Sequence, residues 1–257
     1  MSDQLPRIFV SPEKFNNTGD IIIEDKKDYH YLTRVLRCKP EDDVILLNGE
    51  GDSWLSKIHD ITDNKISFSI SKQLQEQRET PIEVGLAQVL LKKDNFELVL
   101  QKTTELGVKI VYPLFSDRSE INYNDDKKVR KKISRWNEIV KNASEQSRRQ
   151  IIPTVEHPST FKEFINDPKI KSWDIVYICH EKAIFSIKEA LKKDTEQRVS
   201  SILLLVGPEG GFSPSEISLA KERGVNSLSL GPRVLRAETA GITATTLVLY
   251  ELADLGG

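Results

Sequence analysis

The sequence has few cysteines and histidines, and their positions exclude the sites that these residues usually form. The two cysteines, Cys38 and Cys179, lie far apart and give neither a metal-binding spacing nor a disulfide framework, which favours a reducing compartment. The four histidines lie in separate segments without a spacing such as H-x-x-x-H, so we expect no metal site. No signal peptide opens the chain and no apolar run reaches membrane length. We therefore expect a cytoplasmic protein without a membrane anchor.

The chain also lacks a net charge that would indicate its partner. Its 257 residues carry 37 Lys and Arg against 39 Asp and Glu, a formal charge of −2, which argues mildly against nucleic acid for the molecule as a whole. Residues 127–149 differ, because nine basic residues there stand against two acidic ones, a local charge of +7. Residues 126–149 are predicted to form one long helix, the basic helix, whose apolar stripe faces the core and turns the basic residues outward. Such a patch can contact phosphates, although each of its lysines can equally lie on a solvated helix face.

A glycine-rich segment follows an apolar run near the carboxyl end. Leu203–Val206 reads as a strand and Gly207–Gly211 as a sharp loop, after which Ser213, Pro214 and Glu216 have the spacing of a helix start with a capping box. The three glycines of the loop let its backbone approach a ligand closely. The spacing fits neither a triphosphate-binding loop nor a dinucleotide fingerprint. The segment predicts a loop for another ligand, with a tight structural turn as the alternative.

Several motifs together resemble one enzyme family. GPEGGFSPSE at residues 207–216 and LGPRVLRAETA at residues 230–240 resemble the carboxyl-terminal signature of the RsmE family, the bacterial 16S ribosomal RNA uridine-N3 methyltransferases of the SPOUT superfamily. KTTELGV at 102–108, RS at 118–119 and ASEQSRR at 143–149 are similar to further motifs of that family. The resemblance covers essentially the whole chain.

The order of predicted elements indicates an α/β protein with two domains. Up to about residue 72 the segments are short and β-like with one helix near residues 27–37, which agrees with the small PUA-like, RNA-binding β-barrel of the family. The polar stretch 71–81 marks the boundary, and we place the domains at 1–73 and 74–257. Strands and helices then alternate, which predicts a parallel sheet with helices on both faces. The final helix, 238–252, is apolar or small nearly all round and should be buried, for which a subunit interface is a natural place.

The resemblance implies a SPOUT domain with a deep trefoil knot, whose loops bind S-adenosylmethionine largely through backbone groups and release S-adenosylhomocysteine. It also implies a homodimer, since the active sites of this superfamily form where two knotted domains meet. We expect ligand approach at the glycines because the two loops should follow neighbouring strands, whereas plain core is the alternative for the leucines. Carried over residue by residue, the cofactor-binding positions are Leu205, Gly207, Glu209, Gly210, Gly211, Leu230, Gly231, Val234, Leu235 and Thr239.

Methylation at N3 of uridine requires an unstacked base, loss of the N3 proton and a methyl group in line with N3. Arg236 is the first catalytic candidate, because a guanidinium near the uracil carbonyls would stabilise the N3 anion. Glu238 is the second, as a base or as an orienter of Arg236, with helix capping as the alternative. His180 and Glu181 can border the cofactor pocket, and a simple turn pair is their alternative.

The implied substrate is 16S ribosomal RNA within the small ribosomal subunit, and guanidinium groups both bind phosphates and stack on bases. A surface ion pair is the alternative for the arginines of the first domain. The RNA-binding candidates are Arg7, Arg34, Arg37, Arg148 and Arg149.

Two other functions stay open from the sequence. One is a SPOUT protein that methylates a ribose oxygen or another base of RNA. The other is a ribosomal-RNA-binding assembly factor that has kept the fold and lost catalysis, against which the intact GPEGG and LRAETA loops argue.

Overall fold

The computed structural model describes residues 5–16, 20–92, 94–121 and 125–255. The chain forms two compact units, Met1–Glu79 with Ser144–Ile152, and Thr80–Ala143 with Pro153–Gly257. The sequence places the domain boundary after residue 73. Here the first unit continues to Glu79 and also takes in the last three residues of the basic helix with the segment that follows them.

The first unit is built on a mixed sheet around an apolar core. Its strands in the described residues are β1 (Arg7–Phe9), β2 (Ile21–Ile23), β3 (Asp43–Leu47), β4 (Ser53–Thr62) and β5 (Lys65–Leu74). They lie in the order β1-β3-β4-β5-β2, with β1 parallel to β3 and the other pairs antiparallel. Residues such as Val44, Leu46, Ile58 and Phe68 pack into one cluster with Leu32 from the helical segment.

The helical segment of this unit begins as α1 (Lys26–His30), which Asp25 caps, and continues as a π-helical turn at Tyr31–Val35. A 3-10 helix at Pro12–Asn16 precedes β2. The prediction of short strands interrupted by one helix is confirmed.

The second unit contains a parallel sheet, as predicted. Its strands in the described part of the chain are β6 (Glu83–Val89), β7 (Ile110–Phe115), β8 (Thr154–Val155), β9 (Ser159–Thr160), β10 (Ile175–Cys179), β11 (Ser201–Val206) and β12 (Asn226–Leu228). Their order is β12-β10-β11-β6-β7-β8, and β9 also pairs with β7. The two-residue strands β8 and β9 have no sequence pattern and were not predicted.

Helices lie against both faces of this sheet. The remaining helices of the chain are α2 (Asn95–Leu106), α3 (Asp126–Gln146), α4 (Phe161–Asn166), α5 (Ile187–Gln197), α6 (Pro214–Glu222) and α7 (Ala237–Leu252), with a 3-10 helix at Pro168–Ser172. One face of the sheet packs on α4 and α6 through a cluster that includes Leu203, Leu205, Phe161 and Ala220. On the other face, the β11 residues Ile202, Leu204 and Val206 are also buried, and α7 contacts β11, β6, α2 and α5.

Two sequence-based expectations, one about the parallel sheet and one about the basic helix, are wrong. The loops after β11 and β12 do not follow neighbouring strands, because β10 lies between them and pairs with both. The basic helix ends at Gln146 rather than at Arg149, because Arg148 adopts a left-handed backbone with φ of +61° and the N–H of Arg149 turns back to the carbonyl of Ser144.

In the part of the chain that the structure describes, every helix is too short or too polar to span a lipid bilayer.

Candidate cofactor and catalytic site

The predicted site segments open at one edge of the parallel sheet. All its strands run in the same direction, so their carboxyl ends meet at one edge, which is where open parallel sheets bind ligands. The first segment follows β11 and the second follows β12. The loop after β10 lies between them in the sheet.

The chain turns sharply after β11 because of two glycines. A Cβ at Gly207 would lie 3.1 Å from a ring carbon of Phe212 and 3.2 Å from its backbone nitrogen, so the close approach leaves little room for a side chain. Gly211 has φ of +66°, and its N–H donates to the carbonyl of Pro208 over 2.9 Å. The loop therefore depends on glycine for space at one end and for conformation at the other.

The predicted start of α6 is confirmed. Ser213 is its N-cap, Pro214 occupies the first turn, and the Ser213 and Glu216 side chains each bond to the other's backbone N–H in a capping box. Both capping side chains are buried. This local arrangement fixes the far end of the glycine loop.

A second set of contacts holds the same loop from β7. The Nη1 of Arg118 donates to the carbonyl of Gly210 over 2.9 Å. The Asp117 carboxylate accepts a 2.6 Å hydrogen bond from the Ser213 hydroxyl, and the Asp117 N–H donates to Oε1 of Glu216 over 3.0 Å. Asp117 is not among the site residues predicted from the sequence, and its one visible signal there is its position two residues after a buried strand and directly before the RS motif.

The segment after β12 is tied by its backbone to the loop after β10. The N–H of Ser229 donates to the carbonyl of Phe185 over 2.8 Å, and the N–H of Ile187 donates to the carbonyl of Ser229 over 2.9 Å. Gly231 has φ of +120° and open space where a Cβ would stand. Backbone hydrogen bonds therefore join the loop after β12 to the loop after β10, where the sequence predicts that His180 and Glu181 border the cofactor pocket.

The predicted cofactor positions in these two segments differ in their solvent exposure. The side chain of Leu205 lies in the sheet core and Gly207 is buried, which matches the core alternative for the leucine side chain. Leu230 and Leu235 are half-buried. The exposed positions are Glu209, Gly210, Gly211, Gly231, Val234 and Thr239.

The catalytic candidates lie at the start of α7. Arg236 is the N-cap residue, its carbonyl accepts from the N–H of Ala240 over 2.8 Å, and its side chain is exposed. Glu238 is 9% exposed in the first turn, where a carboxylate stabilises the helix dipole. Across the described residues, no ion pair joins Glu238 to Arg236. The helix-stabilising role of Glu238 is thus compatible with this geometry, and the catalytic roles of both residues stay predictions.

Two of the RNA-binding candidates are largely buried in ion pairs. The Arg7 guanidinium binds the Glu76 carboxylate through both terminal nitrogens, at 2.5 and 3.2 Å, and this hydrogen bonding lowers the pKa of Glu76. Arg149 is 4% exposed, and its Nη2 donates to Glu79 over 2.7 Å. As folded, both guanidinium groups are occupied by carboxylates, and RNA binding by them stays a prediction.

Two other candidates, Arg34 and Arg37, are exposed. They flank the exposed side chains of Val35 and Leu36, and the exposed ring of Tyr31 lies about one π-helical turn earlier. This part of the first unit therefore presents cationic, aromatic and apolar groups together, a combination that suits unpaired nucleotides. Arg148 is half-buried.

The basic helix α3 turns its apolar residues inward, as predicted. Val129, Trp136 and Val140 are buried, whereas Lys128, Arg130 and Lys131 are exposed. Glu97 of α2 compensates part of the positive charge, since it binds Arg135 at 2.5 Å and Lys132 at 3.6 Å. The exposed side chains of Lys128, Arg130 and Lys131 give α3 a positively charged surface.

Comparisons with known proteins agree with these features. The family model described as an RNA methyltransferase domain matches residues 78–249, and that of an RNA methyltransferase PUA domain matches residues 23–71. The chain is 31% identical over 239 residues to the ribosomal RNA small subunit methyltransferase E of Bacillus subtilis, with 90% of both proteins covered.

Two solved structures that contain S-adenosylmethionine share the fold. A Legionella pneumophila methyltransferase structure has a TM-score of 0.85 and 31% identity, covering 98% of this chain and all of that one. The ribosomal RNA small subunit methyltransferase E of Neisseria gonorrhoeae has a TM-score of 0.83 and 25% identity, covering 98% of this chain and 99% of that one. Because the sequence match extends over both units and the fold match over nearly the whole chain, the protein belongs to the ribosomal RNA small subunit methyltransferase E family.

Proposed function

We infer that this protein transfers a methyl group from S-adenosylmethionine to N3 of a uridine in 16S ribosomal RNA. The observation that carries this proposal is the pair of loops with exposed glycine backbone at one edge of the parallel sheet, 207–211 and 229–235, in a chain that belongs to this family. Relatives of the same fold contain S-adenosylmethionine.

The two loops fit the donor, a nucleoside with a charged sulfonium. Gly211 and Gly231 have open space around the position of a Cβ, and Gly210 and Gly231 are exposed, so backbone groups can approach a ligand. The half-buried Leu230 and Leu235 offer an apolar border for an adenine ring. When bound, S-adenosylmethionine supplies the electrophilic methyl group. The ten positions carried over from the family would hold it, Leu205 and Gly207 through their backbone.

Arg236 would act on the uracil. Its side chain is exposed at the N-cap of α7, where the helix dipole adds positive potential. A guanidinium placed at the carbonyl oxygens would stabilise the negative charge that develops when N3 loses its proton. Glu238, buried two residues later, would accept that proton or orient Arg236 once the substrate is in place.

The RNA would be held by the exposed Arg34 and Arg37 and by the positive face of α3. The family resemblance also assigns contacts to Arg7, Arg148 and Arg149. We place the protein in the cytoplasm with the small ribosomal subunit.

A homodimer and a trefoil knot are parts of the same proposal. Three apolar side chains on the site loops are exposed, Ile184 by 94%, Phe185 by 66% and Val234 by 82%, and a second copy of the chain would cover them. For the knot the support is the family resemblance, which implies that the carboxyl-terminal segment threads through a loop.

The direct test is nucleoside mass spectrometry of 16S RNA from a strain that lacks this protein. We expect N3-methyluridine to be missing and to return on complementation with the wild-type chain. A missing ribose-methylated nucleoside or another methylated base would assign a different reaction. Unchanged modification with altered subunit assembly would favour a binding factor without catalysis.

A further inference from the structure

One polar side chain lies where the sheet is otherwise apolar. Gln88 is fully buried in β6, between Ala87 and Val89, whose side chains face the opposite cluster on α4 and α6. Its Nε2 donates to the carbonyls of Val89 and Val206 over long distances, 3.3 and 3.5 Å. Among the described residues, its Oε1 is buried without a hydrogen-bond partner. An amide in this state destabilises a core, so an apolar residue of similar shape would serve packing better.

A glycine in α7 makes room for this side chain. A Cβ at Gly241 would lie 2.6 Å from Oε1 of Gln88, closer than real contacts allow. Glycine in a helix interior is less stable than alanine, so its presence in the second turn of α7 fits a steric need. Gln88 and Gly241 therefore form a matched pair across the interface of the sheet and α7.

This pair connects the two segments of the proposed site. Val206, whose carbonyl Gln88 contacts, directly precedes Gly207 of the first loop. Gly241 follows Glu238 by three positions and Arg236 by five. A shift of Gln88 would thus change the position of the first loop relative to the start of α7.

We propose that Gln88 is a positioning residue, which sets the placement of the loop after β11 against the first turn of α7 and thereby the fit of the site to S-adenosylmethionine. The proposal rests on the proposed function, since it concerns the same site. It explains why a poorly satisfied amide occupies a position that packing alone would fill with an apolar side chain.

The variant Gln88→Leu separates positioning from packing. If Gln88 only fills space, an apolar residue of similar size should leave both thermal stability and activity unchanged or improved. If Gln88 positions the site, the melting temperature should stay equal or rise while the KM for S-adenosylmethionine increases about tenfold and kcat falls by about 10- to 100-fold, because small misplacements cost that much. The readouts are thermal unfolding, calorimetric titration with S-adenosylmethionine and steady-state methylation of 16S RNA, all with the full chain.

A double-mutant cycle covers the case in which Gln88→Leu folds poorly. Gly241→Ala should weaken cofactor binding by pushing Gln88 aside, but in a Gln88→Ala background the added methyl group has room and should cost nothing further. Gln150→Leu is the matched control, since Gln150 is a buried glutamine of the first unit that bonds Ser53, and its loss should leave the affinity for S-adenosylmethionine unchanged.

Additive effects of Gln88→Ala and Gly241→Ala, or wild-type affinity and kcat in Gln88→Leu, would overturn the role of Gln88 while the proposed function stands. A wild-type chain that does not bind S-adenosylmethionine would overturn the proposed function itself.

Discussion

The carboxylate of Asp117 and the hydroxyl of Ser213 lie 2.6 Å apart, although 96 positions separate them in the sequence. Asp117 follows β7, whereas Ser213 starts α6 just beyond the glycine loop. Since Arg118 also donates to the carbonyl of Gly210, consecutive residues after β7 hold the loop at two points. The loop is therefore shaped before any ligand arrives, which lowers the entropic cost of binding.

Removal of the Asp117 carboxylate should loosen this loop. We expect Asp117→Ala to weaken S-adenosylmethionine binding by up to about tenfold and to reduce stability by about 1–3 kcal/mol, because the carboxylate accepts hydrogen bonds from the hydroxyls of both Ser213 and Ser215. Calorimetric titration and thermal unfolding measure both effects. Asp63→Asn, in the turn between β4 and β5, is the control and should change neither quantity. Equal affinity in Asp117→Ala would mean that the capping box alone fixes the loop.

Arg236 should be essential for the chemical step but not for cofactor binding. We expect Arg236→Ala to lower kcat on the order of 10²- to 10³-fold, the usual effect of removing one group that stabilises developing charge. The affinity for S-adenosylmethionine should stay within a few-fold, as measured by titration.

Arg233→Ala is the matched control for this variant, because Arg233 is an exposed arginine three positions earlier in the same segment. Its turnover should stay near that of the wild type. Near-normal turnover of Arg236→Ala would remove Arg236 from the mechanism.

The exposed arginines of the first unit should bind phosphate. Loss of one phosphate contact reduces the slope of log affinity against log salt concentration by about 0.7 to 0.9. We therefore expect Arg34→Ala and Arg37→Ala each to weaken RNA binding and to flatten its salt dependence, measured by filter binding at several salt concentrations. Arg223→Ala, at the end of α6, serves as the exposed control. An unchanged slope in both variants would place RNA on another surface.

The Arg7–Glu76 ion pair should stabilise the first unit in a pH-dependent way. The hydrogen bonds from Arg7 lower the pKa of Glu76, so the pair contributes stability above the ordinary pKa of glutamate and loses it as pH falls through the lowered value. Glu76→Gln should cost about 1–3 kcal/mol at pH 7 and much less near pH 3. Denaturant unfolding at both pH values measures the difference.

Glu41→Gln is the control for this pH dependence, since Glu41 pairs with Lys57 in solvent and should contribute little. A constant cost of Glu76→Gln from pH 7 to pH 3 would contradict the role of its charge.

Local features of the fold could be predicted from the sequence, and distant contacts could not. The start of α6 was predictable because Ser213 and Glu216 satisfy each other within four residues. The contact of Asp117 with that helix start, and of Glu79 with Arg149, join residues 96 and 70 positions apart and leave no local pattern. For the same reason the sequence does not show that Arg149, an arginine in a family motif, pairs with a carboxylate in the fold. RNA binding by Arg149 stays a prediction.

The order of the strands in the sheet is a second feature that the sequence could not predict. Alternating strands and helices predict a parallel sheet, but periodicity does not tell which strands are neighbours. The expectation that β11 and β12 are adjacent is wrong for this reason. The hydrogen bond between Ser229 and Phe185, in the loop after β10, was not predicted either.

The most direct test of the central claim is a reaction of the purified protein with small ribosomal subunits that lack the modification, in the presence of isotopically labelled S-adenosylmethionine, followed by nucleoside mass spectrometry. We expect label in N3-methyluridine with the wild-type chain and almost none with Arg236→Ala. Label in a ribose-methylated nucleoside or in another base, or no label at all with the wild-type chain, would contradict the proposed reaction.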